Sequence, residues 1–288
     1  MIMLFAALGG IASAAFAIVF LWLREEHSAR LLPHFISFAT GSLLGAALLA
    51  LLPEAIAGAG PAGAHRIGVA LLAGLALFFV IEKLVLWWHV HTHEAGSAEA
   101  QACAQHAEDA EGTHAGHGGH RGHGAHAGHG GHSHAHPRDR ASGVLVLVGD
   151  SLHNGLDGVL IAAAFLSNVP LGLVTTFAVA AHEIPHRVGD FAILVQAGLT
   201  RPRALLLNIA TGVASMIGAL GAYFGLRQAM GALPYALAVA AAGFLYIAVA
   251  GLIPGLHRRA DPRTSAVQVL LIGAGIAVIA FAEALTHG

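Results

Sequence analysis

Charge is what this 288-residue chain has least of: 10% of its side chains are Asp, Glu, Lys or Arg, against roughly 25% in an ordinary soluble domain. A surface that poor in charge excludes a water-soluble globular protein, and a mean hydropathy of +0.71 points the same way. The net charge of −2 suggests no nucleic-acid partner. Cysteine is nearly missing as well. With Cys103 alone, no internal disulfide can form. The first apolar run lacks the basic segment that opens a secretory signal; Arg24 and Arg30 follow it instead. It reads as a retained helix.

What is present in abundance is apolar sequence, in runs near the roughly 20 residues that cross a bilayer core. Eight such runs are expected: Ile2–Leu23, Leu31–Leu52, Ile67–Trp88, Gly143–Ser167, Leu171–Leu199, Ala204–Leu226, Pro234–Leu256 and Thr264–Leu285. The expected fold class is all-α: a polytopic membrane protein built as a bundle of eight transmembrane helices. Residues 1–88 supply spans 1–3, residues 89–142 a cytoplasmic loop, and residues 143–288 spans 4–8. Small residues such as Gly41 and Gly45 recur at spacings that let neighbouring backbones approach.

Basic residues set the orientation. Arg24, Arg30, Arg121, Arg138, Arg140, Arg201, Arg203, Arg258, Arg259 and Arg263 fall in alternate connections, whereas Arg66 and Arg227 fall in the others. By the positive-inside rule the first set is cytoplasmic and both termini are extracytoplasmic. The long connection then faces the cytoplasm. Its run "HAGHGGHRGHGAHAGHGGHSHAH" has almost no apolar side chains to build a core and is expected to be disordered. Its imidazoles, at His114, His117, His120, His123, His126, His129, His132, His134 and His136, can wrap a borderline-soft cation without a fixed fold.

Ionisable side chains inside a span are functional candidates by default. Span 4 reads "VGDSLHNGLDGVLIA" and span 5 "TTFAVAAHEIPHRVGDFAIL". Each carries ligand-type residues at i, i+1 and i+4: His153, Asn154 and Asp157, then His182, Glu183 and His186. Residues four apart share a helix face, so two facing stripes can surround a dication. Asp157 and Glu183 bring two negative charges, which a divalent ion neutralises, offsetting the cost of burying them. Imidazole with carboxylate suits Zn²⁺, with Fe²⁺, Mn²⁺, Co²⁺ and Cd²⁺ as alternatives. A metal-free polar contact between helices is the competing reading. His182-Glu183-x-x-His186 also has the spacing of a zinc-protease motif. Pro185, however, interrupts it and is expected to kink the helix.

"HNGLDG" on span 4 and "HEIPHRVGDFAIL" on span 5 together resemble the paired signatures of the ZIP (Zrt/Irt-like protein) divalent-metal transporters, in the branch with His-Glu-x-Pro-His on the fifth helix. "LLPEA", "FFVIEKL" and "GFLYIAVAGLIPG" resemble further landmarks of that family. The resemblance covers essentially the whole chain. It implies a transporter rather than an enzyme, with Zn²⁺ as substrate, imported into the cytoplasm, and no organic cofactor. It also implies that His153, Asp157, His182 and His186 form a primary site. Asn154 and Glu183, with His186 as a bridge, correspond to an adjacent second site. The chain departs from the family pattern at Arg187, where a glutamate is usual, and at Gly251 and Gly255, where acids are usual. Arg187, four residues from Glu183, is expected to put its guanidinium where a second cation's charge would otherwise be, leaving one metal.

Glu54 and Asp190 are modulating candidates, Glu54 beside an entrance and Asp190, with Asp150, as an ion relay. Two other readings compete. An intramembrane zinc metalloprotease would use His182-Glu183-x-x-His186 with the Leu-Asp-Gly at 156–158. A cation-diffusion exporter would also carry a histidine-rich loop but usually has six spans and a soluble C-terminal domain. The expected partners are a divalent ion and the lipid bilayer. A homodimer is compatible with the sequence, and the expected location is a bacterial inner membrane.

Overall fold

The computed structural model describes residues 1–13, 25–84, 137–257 and 261–287. The histidine-rich stretch, His114 to His136 included, lies outside the described residues. Every regular element among them is helical, as backbone buried in lipid requires, because a helix satisfies its own amides and carbonyls.

We number the helices in chain order. α1 runs Ile2–Ala7 and continues as a π-helical turn, Leu8–Ala12. α2 comprises Glu25–Gly45, a π-helical segment Ala46–Leu51, and Leu52–Ala59. α3 is Pro61–Leu84, α4 Pro137–Ser167, α5 Val169–Gln196 and α6 Arg201–Gln228. α7 comprises Leu233–Tyr246, a π-helical segment Ile247–Leu252, and Ile253–His257. α8 is Pro262–His287. Five of these stretches are long and apolar enough to cross a membrane: Arg30–Ala59 of α2, Pro61–Leu84, Arg201–Gln228, Met230–His257 around α7, and Pro262–Leu285 of α8. α4 and α5 are as long, at 31 and 28 residues. Their acids, histidines and Arg187 dilute the apolar average. The chain is therefore an all-α polytopic membrane protein.

Several helices outrun the apolar segments that predict them. α4 begins at Pro137 where Gly143 is expected, and α2 extends on both sides of Leu31–Leu52. Hydropathy marks only the lipid-buried part of a helix, and the polar turns beyond it continue the same hydrogen-bond ladder. Pro185 does not break α5, which is helical on both sides of it.

The turn between α4 and α5 fixes the geometry that matters. Only Asn168 separates the two helices. Its side chain caps α5 by accepting a hydrogen bond from the Leu171 amide at 2.8 Å, and Pro170 occupies the first turn, where no amide is needed. His153 and His182 stand about equally far from this turn, roughly 22 Å at 1.5 Å per residue. The antiparallel pair therefore brings them to one depth.

α6 presses against α4 with no side chain between them. A Cβ at Gly158 would strike the Ser215 carbonyl, and one at Gly218 would strike the Gly155 carbonyl. α8 meets α2 in the same way at Gly41 and Gly275. Gly158→Ala is accordingly expected to lower stability by about 1–3 kcal/mol. The readout is earlier thermal unfolding in detergent, and an unchanged melting curve would contradict so close a contact. Toward the α4–α5 turn, Ile161, Leu171, Val179, Leu51, Leu237 and Phe244 form a buried apolar core drawn from four helices.

Candidate metal site

One turn of α4 and one of α5 hold four donor atoms, all within 4.8 Å of one another: one each from His153, Asp157, His182 and Glu183. His153 Nε2 lies 3.3 Å from His182 Nε2, 3.5 Å from Glu183 Oε1 and 3.9 Å from Asp157 Oδ2. His182 Nε2 lies 3.3 Å from Asp157 Oδ2 and 3.9 Å from Glu183 Oε1. A tetrahedron of ligands about 2.0–2.2 Å from a zinc ion has edges of roughly 3.3–3.6 Å. The five measured edges match that size or slightly exceed it.

Apart from the contact between the two imidazole nitrogens, the surrounding hydrogen bonds leave lone pairs of these atoms facing one point. His182 Nδ1 is 3.0 Å from the Ala178 carbonyl, and donating its proton there leaves Nε2 with a bare lone pair. Asp157 Oδ2 and Glu183 Oε1 are buried without a hydrogen-bond partner. Two carboxylate oxygens and an imidazole lone pair thus converge on one point. A cation at their centre satisfies all three.

Arg187 does not join this cradle; it anchors it. Its side chain is fully buried, and Nε donates to Glu183 Oε2 at 2.9 Å, leaving Oε1 free to face the histidines. Nη1 donates to Asp150 Oδ2 at 3.0 Å, to the Asn208 carbonyl at 2.5 Å and to the Thr211 hydroxyl. Nη2 donates to Asn154 Oδ1 at 2.5 Å and reaches the Gly10 carbonyl at 3.4 Å. Asn154 in turn donates to the Asp150 carboxylate and carbonyl, both at 2.8 Å. Asn154 therefore belongs to the guanidinium's web. Asn208 is legible in the sequence as an intramembrane polar residue, Thr211 is not, and neither is marked there as a partner of Arg187. Their spacing with Ser215, at i, i+3 and i+7 on α6, marks the polar stripe that holds them.

His186 also parts from the set that the resemblance implies. Its Nε2 lies 3.7 Å from Asp190 Oδ2, and its ring stands 5.2 Å from that of His153. A cavity of about 460 Å³ opens onto His153, His182, His186, Asp150 and Asp190, with Glu82, Tyr246 and Gly251 along its wall. The Phe244 ring of the apolar core lies 6.2 Å from the His182 imidazole. Glu54 is elsewhere. It accepts hydrogen bonds from Ser167 at 2.6 Å and Asn168 at 3.0 Å, beside a separate cavity at the turn end of α4 and α5.

Fold and site together define a polytopic helical membrane protein with a charge-lined cradle for a divalent cation sunk between two of its helices. Residues 1–283 match the family described as ZIP Zinc transporter, and the chain belongs to that family. It is 33% identical to "Zinc transporter ZIP13" of Danio rerio, over 90% of this chain and 78% of that protein. It is 36% identical to the Homo sapiens protein of that name, over 89% and 72%. "Zinc transporter SLC39A7" of Rattus norvegicus is 31% identical, over 93% and 69%.

Proposed function

We propose that the chain transports Zn²⁺ across its membrane, into the cytoplasm, with His153, Asp157, His182 and Glu183 as the ligands that strip and hold the ion. The observation that carries this reading is the pair of buried, unpartnered carboxylate oxygens, Asp157 Oδ2 and Glu183 Oε1, aimed at the same point as two imidazole nitrogens. Zinc transport by the named relatives supports the choice of ion. Fe²⁺, Mn²⁺, Co²⁺ and Cd²⁺ suit the same donors and are secondary substrates of the proposal.

The direction follows from the open cavity. Asp150 and Asp190 line it farther along α4 and α5 from the Asn168 turn than His153 and His182 do, and the arginine distribution makes that end cytoplasmic. The apolar core closes the other end of the cradle, so the described conformation is the one that releases inward. Arg187 supplies a fixed positive charge beside Glu183 and Asp150, so the cradle needs one ion. The histidine-rich segment is read as a cytoplasmic metal acceptor. A bacterial inner membrane remains the proposed location on sequence grounds, and the relatives named above, all vertebrate proteins, lend it no support. A homodimer is likewise part of the reading.

The protease reading is disfavoured by the same geometry. A His-Glu-x-x-His enzyme needs both histidines on one metal and a free glutamate as base. Here the second histidine turns to Asp190, and Glu183 is bound by Arg187 through one oxygen.

Uptake into proteoliposomes tests the proposal, with zinc compared against iron and manganese at two pH values. Zinc should be taken up fastest. Because protonated imidazole cannot ligate, uptake should weaken as pH falls and the histidines take up protons. Proteoliposomes no more permeable to zinc than empty vesicles would end it.

A further inference from the structure

We propose that Asp150, His186 and Asp190 form a second divalent-cation station, through which the ion leaves the cradle toward the cytoplasmic end of the cavity. The inference rests on the transport reading and extends it to residues that take no part in the four-ligand cradle.

Three observations converge. One ligand atom from each of the three residues lies within 4.8 Å of the others, a second grouping distinct from the first. Asp190 is only 8% exposed, yet its Oδ2 is buried without a hydrogen-bond partner and faces His186 Nε2 at 3.7 Å. A carboxylate oxygen left bare in that position costs free energy unless a cation or a donor answers it. Finally, His153 and His182 of the cradle line the same cavity as all three of these residues, and the His186 ring stands 5.2 Å from the His153 ring.

The two stations differ in the way that hand-over requires. The cradle is the more buried of the two, with His182, Asp157 and Glu183 at most 2% exposed and only the His153 side chain, at 21%, reaching further into the cavity. The His186 side chain is 48% exposed, so water can complete the coordination of an ion held there. Asp150 is fixed but shared, since Oδ1 accepts from Asn154 and Oδ2 from Arg187. Three ligands, one of them a carboxylate with both oxygens already engaged, bind a dication more weakly than four that include the free Oε1 of Glu183 and Oδ2 of Asp157. Weak holding nearest the exit suits release. By rotating toward His153, the His186 imidazole can meet an ion leaving the cradle, and by turning back it can deliver the ion to Asp190.

The experiment is anomalous diffraction from the full-length protein in Cd²⁺, alongside zinc uptake, for the unmutated chain, Asp190→Asn and Asp190→His. The unmutated chain should give two peaks, one in the cradle and one among Asp150, His186 and Asp190. Asp190→Asn should keep the first, which also certifies its fold, and lose the second. Its uptake should drop by on the order of tenfold. Asp190→His, which restores a ligand without the charge, should recover the second peak and most of the uptake. A single peak in the cradle together with normal uptake by Asp190→Asn would overturn the station and leave the transport reading standing. No peak at either place and no zinc uptake would remove both.

Discussion

Replacing Asp157 by asparagine is expected to reduce zinc uptake by about 100-fold or more while making the metal-free protein no less stable. The carboxylate oxygen that faces His182 Nε2 at 3.3 Å has no hydrogen-bond partner. Removing one charge of a buried cation–carboxylate pair costs about 3–5 kcal/mol, and each 1.4 kcal/mol is tenfold in affinity. Without the ion the sign reverses. A buried, unpaired carboxylate is a burden to the fold, and an amide of the same shape relieves it. Two readings therefore separate cleanly. If Asp157 served a metal-free contact between α4 and α5, the variant would unfold earlier. If it serves an ion, uptake collapses and thermal unfolding in chelator is unchanged or later. Radiolabelled zinc uptake and melting in detergent measure the two arms. Uptake above a tenth of the original would contradict the assignment.

The parts of this site that were legible in the sequence are those that one helix carries by itself. Residues four apart on α4 and on α5 announce a polar stripe, and the short connection at Asn168 implies that the stripes face each other. The i+4 pairing of Arg187 with Glu183 is legible for the same reason. The direction of His186 is not. Spacing puts it on the same face as His182, but its side chain is free to choose between His153 and Asp190, and the buried, unpartnered oxygen of Asp190 attracts it. The web around Arg187 is equally hidden, because Asn208 and Thr211 come from α6 and the Gly10 carbonyl from α1. Those contacts depend on glycine-paved helix packing, and a glycine stripe does not name its partner helix. Helix ends were misjudged for a plainer reason: α4 and α2 extend into polar turns that hydropathy cannot see.

Substituting Arg187 by leucine is expected to destabilise the protein by about 3–5 kcal/mol, and millimolar zinc should restore part of that loss. Arg187 is among the largest side chains with no exposure, and its guanidinium answers two buried carboxylates, Glu183 Oε2 at 2.9 Å and Asp150 Oδ2 at 3.0 Å. Leucine fills much of the same volume but leaves both oxygens without a positive partner, the costly way to break a buried ion pair. Lysine would not repair it, because a single ammonium cannot span acceptors on α4, α5, α6 and α1 at once. A dication can take over part of the charge, since Glu183, Asp150 and Asn154 would then surround a space that the guanidinium had filled. That rescue distinguishes a fixed counter-charge from simple packing. Melting in detergent, with and without zinc, reads both effects in the Arg187→Leu protein and in the unmutated chain. A variant that melts normally would show that the guanidinium's charge is dispensable. One that melts early and gains no more from zinc than the original would show that an ion cannot stand in for it.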